Sequence, residues 1–204
     1  SKAGNEIKTI FLSTGILARR PFQPKSSNNI LTEKFFRAYE KKISELRRDA
    51  RSAAKVLGIS EIDFMDFPDN EMDLISNLQL TKTIENEIMN YKPSTIYMPT
   101  KYDVNVDHQA VYNATITATR PSKNTHVKEV ISFEIPSSTE WYFPAEFSPN
   151  VFVDITKQIN SKINALKKYK HEIRQFPHPR SVVALEAIAK RWGSVSGFQY
   201  AEAF

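Results

Sequence analysis

The sequence contains no cysteine, which removes thiol nucleophiles, disulfides, Cys-ligated zinc and iron–sulfur clusters in one step. Any metal must then be held by histidine and carboxylate side chains. Glycine is scarce too: Gly4, Gly15, Gly58, Gly193 and Gly197 are all there are. None of their spacings makes a G-x-G-x-x-G or a P-loop, which argues against dinucleotide or NTP chemistry through such loops. No apolar run approaches the ~20 residues that cross a bilayer, and no signal-peptide pattern stands at the start, so a cytoplasmic location is the default expectation. A strong charge excess is missing as well: 28 Lys and Arg against 23 Asp and Glu leave +5. The basic residues are spread over two predicted helices, with Lys41, Lys42, Arg47, Arg48 and Arg51 on one and Lys167, Lys168 and Lys170 on the other. Solvated helix faces account for them without a nucleic-acid partner.

What is present is a chain of 204 residues, 41% hydrophobic and 25% charged, the composition of a single soluble domain with one core. Apolar Ile7–Leu12 reads as a buried strand, followed by a loop rich in Pro, Ser and Asn. A long helix follows, capped by Thr32 and closed by Gly58. The alternation repeats with a strand at Ile62–Met65, a loop at Phe67–Asn70, a helix over about Leu74–Tyr91 and a strand at Thr95–Met98. Asp107 is placed to cap the next helix, which runs to Arg120-Pro121. A strand at Val127–Ile135, a helix capped by Asp154 and a last helix between Ser181 and Gly193 complete the series. Such alternation predicts an α/β fold with a mostly parallel sheet and helices on both faces. Ligands then belong at the carboxyl ends of the strands, in the loops at 13–20, 66–70, 99–108 and 134–142.

The loop after the strand at Thr95 carries Asp103-Val-Asn105-Val-Asp107-His108. An EF-hand reading fails, because its sixth position is His108 instead of Gly and its twelfth is Ala114 instead of Glu. Two readings stay open: His108 as a metal ligand at a helix N-terminus beside carboxylates, or a helix-capping Asp107 followed by a partly exposed histidine. One histidine does not complete a catalytic zinc site, which takes three protein ligands. His178 lies between Pro177 and Pro179 and before Arg180, which holds its backbone extended. That suits oxyanion stabilisation or proton transfer, and equally a rigid turn before a capped helix. Serine catalysis lacks a G-x-S-x-G elbow. Convergence of Asp66, Asp69, Asp103 and Asp107 would allow paired-carboxylate hydrolysis, and Asp69 also suits a turn. Trp141 and Tyr142 could stack on a sugar ring or fill a core.

Taken in order, seven strings resemble the LmbE-like, or PIG-L, family of zinc-dependent N-deacetylases. They are Ser13-Thr-Gly-Ile-Leu-Ala-Arg19, Phe67-Pro-Asp69-Asn, Asp103-Val-Asn-Val-Asp107-His108, Ala118-Thr-Arg120-Pro, Ser137-Ser-Thr-Glu-Trp141, Pro177-His178-Pro-Arg180-Ser and Ala201-Glu-Ala-Phe204. The resemblance implies a single Rossmann-like deacetylase domain over residues 1–204. It implies hydrolysis of the N-acetyl group of an N-acetylglucosamine-type sugar or glycoconjugate, with Zn2+ as cofactor. By the same resemblance, His108 is a zinc ligand, Asp107 the carboxylate beside it, and Arg19 and Asp69 contacts to sugar hydroxyls. Asn105 stands where many members have a histidine and is counted with the substrate-binding residues, and His178 stands where a histidine helps hold the oxyanion. The expected partner is an N-acetylated amino sugar, and the sequence is compatible with a homo-oligomer without specifying one.

The family's His-Pro-Asp-Asp-Glu string, which supplies two metal ligands and the general base, is not in these residues. Ser1–Glu6 also reads as the tail of a helix with Gly4 as its C-cap. Both features lead to the expectation of a fragment that lacks the first strand and most of the first helix, and that by itself binds zinc weakly and is inactive. The rival reading is a non-catalytic sugar-binding domain derived from the same fold; a third is a carboxylate-based hydrolase without metal.

Overall fold

A computed structural model describes residues 4–16, 33–121 and 126–204. The chain separates into two compact units, Ser1–Asn70 with Asn160–Ile173, and Glu71–Ile159 with Arg174–Phe204. The fold is α/β, with two parallel strand pairs and one antiparallel pair among the described residues.

In the first unit, strand β1 (Lys8–Phe11) lies parallel to β2 (Glu61–Phe64), with Phe11 opposite Phe64 and their rings stacked at 5.1 Å. Helix α1 (Glu33–Leu57) connects them and buries Ala50, Ala53 and Ala54. These small residues let a helix approach closely along one stripe. Gly58, with φ +74°, ends α1 as its position in the sequence predicts. The proposed cap Thr32 lies outside the described residues, as do the first three residues of the predicted helix tail. Leu57, expected inward, is exposed.

The second unit holds the longer pairing. Strand β3 (Thr95–Pro99) runs parallel to β4 (Glu129–Phe133), from Thr95 opposite Glu129 to Pro99 opposite Phe133. Their carboxyl ends therefore meet at one edge, where the Thr100 amide donates to the Phe133 carbonyl at 3.0 Å. Helix α2 (Asn77–Tyr91) starts later than predicted. A single 3-10 turn occupies Met72–Leu74, and Ser76 caps α2 by accepting from the Gln79 amide. Helix α3 (Val106–Ala118) follows β3.

Strand β5 (Phe152–Asp154) pairs antiparallel with β6 (Ala201–Ala203), an arrangement the alternation pattern did not predict. Asp154 belongs to this strand and accepts from the Thr156 amide, so it does not cap helix α4 (Ile159–Leu166). Ala201 and Ala203 pack with Trp192 against Phe147, Phe152 and Ile188. The Trp192 indole N–H donates to Glu134 Oε1 at 2.5 Å, which satisfies its polar edge as a buried indole requires.

Helix α5 (Val182–Ser196) is capped by Ser181, whose hydroxyl accepts from the Ala184 amide, and it ends at Gly197 with φ +81°. Gly193, expected at the helix end, lies inside it for a packing reason. A Cβ there would stand 2.6 Å from the Phe198 carbonyl oxygen and 2.9 Å from that of Gln199. Both obstacles are backbone and cannot rotate away. Gly193→Ala is expected to cost about 2–3 kcal/mol in urea unfolding; an unchanged midpoint would mean that the 197–200 turn moves freely. No helix among the described residues is long and apolar enough to cross a membrane.

Candidate functional site

The loop from β3 into α3 is organised around Asp103, whose side chain is fully buried. Its Oδ1 accepts from His108 Nδ1 at 3.0 Å, from the Asn105 amide at 2.8 Å and from the Ser138 hydroxyl. Its Oδ2 accepts from Thr139 Oγ1 at 2.9 Å, and Thr139 Oγ1 in turn accepts from the Ile135 amide at 2.8 Å. Burial pushes the Asp103 carboxyl up, but the hydrogen bonds from His108, Ser138 and Asn105 outweigh it and leave the pKa below its ordinary value. The carboxylate is therefore ionised and held at both oxygens. Ser138 is fixed from behind, because the Ser137 and Ser138 amides both donate to the Glu140 carboxylate.

This fixes the tautomer of His108. With Nδ1 donating to Asp103, the neutral ring carries its lone pair on Nε2. The side chain is 24% exposed, so the imidazole is partly open to solvent. A carboxylate on one ring nitrogen is what orients a metal-ligating histidine and raises its basicity. One such donor suits a zinc ion, yet among the described residues no group of three or more His, Asp or Glu side chains is placed to hold a metal.

The structure places the other sequence candidates as follows. Asn105, and not Asp107, is the N-cap of α3: its side-chain oxygen accepts from the Asp107 amide at 2.8 Å. Asp107 is 4% exposed, and its Oδ1 accepts from the Met72 amide at 3.0 Å, tying the start of α3 to the 72–74 turn. An Asx residue two positions earlier reaches the first free amides, which leaves the second acid free to bond elsewhere. His178 Nδ1 accepts from the Arg180 amide at 3.0 Å, so its neutral ring holds the proton on Nε2. The His178 ring meets Trp141 edge-on, with centroids 6.4 Å apart. Asp69 is buried in the loop after β2, with Asn70 Nδ2 at 3.5 Å from its Oδ1. Arg19 lies outside the described residues.

The sequence places carboxylates beside His108 as orienting groups without singling out Asp103 among them, and it assigns Ser138 and Thr139 no role. The available signal was positional: both strings, 103–108 and 137–141, follow strands that a parallel fold brings to one edge.

In parallel α/β folds ligands bind in the loops at the carboxyl ends of the strands, and the loops after β3 and β4 are where the Asp103 cluster lies. The chain belongs to the PIG-L family, described as GlcNAc-PI de-N-acetylase, whose model matches residues 1–119. It is 26% identical over 170 residues to a diacetylchitobiose deacetylase of Thermococcus kodakarensis, covering 80% of this chain and 62% of that protein. The chain thus spans less than two thirds of that relative's length. In fold it resembles the N,N'-diacetylchitobiose deacetylase of Pyrococcus horikoshii solved with an inhibitor, with TM-score 0.69 and 18% identity over 100% of this chain and 73% of that one. It also resembles the zinc-inhibited form of the teicoplanin deacetylase Orf2, with TM-score 0.67 and 15% identity over 99% of this chain and 87% of that one.

Proposed function

We propose that the full-length protein hydrolyses the N-acetyl group of an N-acetylglucosamine-type sugar or glycoconjugate in a zinc-dependent reaction that releases acetate and a free amine. The observation that carries this reading is the His108–Asp103 pair at the carboxyl end of β3, in a chain of a de-N-acetylase family. A zinc ion bound there would supply a Lewis acid for the acetamide carbonyl and a more acidic water. His108 would offer Nε2 as one donor, held in orientation by Asp103. The other donors would come from outside the described residues.

The remaining roles follow the family resemblance. His178, with its proton on Nε2, is a hydrogen-bond donor suited to a developing oxyanion or a departing amine. Asn105 is not the histidine that many members place there, and its side-chain oxygen is engaged in the α3 cap, so the oxyanion duty falls to His178. Asp107, tied to Met72, anchors the turn that carries His108 beside its part as the neighbouring carboxylate. Arg19 and Asp69 are assigned to the sugar hydroxyls.

Acetate release from N-acetylglucosamine and N,N'-diacetylchitobiose tests the proposal. Activity is expected to vanish with a strong chelator and to return with added zinc. Activity that persists in chelator would point to a carboxylate-based hydrolase. Saturable sugar binding with no acetate from the zinc-replete protein would point to a sugar-binding domain.

A further inference from the structure

The 138–142 segment carries aromatic rings that the core does not use. Trp141 is 48% exposed and closes the 3-10 turn Thr139–Trp141. The hydroxyls of Ser138 and Thr139, at the start of that turn, hold the carboxylate that orients His108. The indole of Trp141 meets the His178 ring at 6.4 Å and 81°. Its neighbour Tyr142 meets Tyr102 at 6.0 Å, and Tyr102 immediately precedes Asp103. A short aromatic wall therefore links the loops that carry His108 and His178, with Lys101 Nζ 4.6 Å from the centre of the Tyr102 ring on one flank.

A half-exposed indole set among polar groups matches the two-sided chemistry of a sugar ring, whose faces present C–H groups and whose perimeter presents hydroxyls. We propose that Trp141 is the stacking platform for a second sugar ring, the one joined to the N-acetylglucosamine that loses its acetyl group. The proposal rests on the deacetylase reading for the reacting ring, and it assigns Trp141 to selecting substrate length. The reacting acetamide belongs at His108. Trp141 lies against the ring of His178, and Ser138 and Thr139 of its own turn hold the carboxylate beside His108, so the indole borders the reacting site and is open to a ring joined there.

The test compares wild type with Trp141→Ala and Trp141→Tyr in the full-length protein, measuring calorimetric affinities in chelator for N-acetylglucosamine and N,N'-diacetylchitobiose. Trp141→Ala is expected to weaken disaccharide binding about tenfold more than monosaccharide binding, and Trp141→Tyr to recover most of that difference. Equal weakening for both sugars would make Trp141 a structural part of the turn and overturn the proposal. Undetectable disaccharide binding by wild type would overturn it too. If the length-dependent binding is found and no acetate is released with zinc, the platform stands and the deacetylase reading falls.

Discussion

Asp103→Ala is expected to destabilise the protein by about 3–5 kcal/mol in urea unfolding, far more than a typical loop substitution. The reason lies in what the carboxylate serves. Four donors converge on it: His108 Nδ1, the Asn105 amide, and the hydroxyls of Ser138 and Thr139. In a fully buried position, removing the acceptor leaves those donors to find water or go unpaired, and each unsatisfied group costs roughly 1–3 kcal/mol. His108 is partly open and can recover some of this from solvent, which sets the lower end of the range. Asp103→Asn separates the two contributions. Its amide oxygen can still accept on one side, so most of the stability should return, while the uncharged group no longer favours the donating form of His108 Nδ1. Zinc affinity, read by competition with a chromophoric chelator, should then stay about 10–100-fold below wild type. If Asp103→Asn restores both stability and zinc affinity, the charge on Asp103 has no part in preparing His108.

His108→Ala carries the second large effect, on metal instead of stability. The ring is at the first turn of α3 and partly solvent-exposed, so truncation should leave the fold within about 1 kcal/mol of wild type. If His108 is a direct ligand as proposed, its loss should weaken zinc binding by more than the roughly 10–100-fold typical of an orienting partner. Elemental analysis of the purified full-length variant is expected to find no stoichiometric zinc, and acetate release should fall to background. One zinc per chain retained in His108→Ala would remove this residue from the ligand set.

The order of strands and helices could be read from the chain because each apolar run is short and each helix has a clear start or stop. Gly58 ends α1, and Ser181 sits at the start of α5. The details that escaped are those decided by contacts between distant residues. Gly193 looks like a helix terminator in sequence, and only the backbone of residues 198 and 199 shows why a glycine is needed inside α5. Asp154 looks like a cap and is part of a strand, because its segment pairs with residues 201–203 at the far end of the chain. In the site, His108 and the carboxylates of its loop stand out by residue type, whereas which carboxylate turns inward to hold the ring does not. Nothing local distinguishes an aspartate that will be buried under two hydroxyls from one in a solvated turn. Those hydroxyls arrive from 35 and 36 residues away.

That separation also bears on when the histidine becomes ready. Helix α3 can begin to form on its own cap, since Asn105 bonds the amide of Asp107 two residues on. The hydroxyls of Ser138 and Thr139 reach Asp103 only after β4 has docked alongside β3 in parallel register. Contacts across such a crossover pay the loop-closure entropy of the intervening chain before they return anything, and they consolidate late. The imidazole of His108 thus has its local partner Asp103 from the start, and a chain with α3 formed but the strand pair open would lack the two hydroxyls that clamp that carboxylate in place.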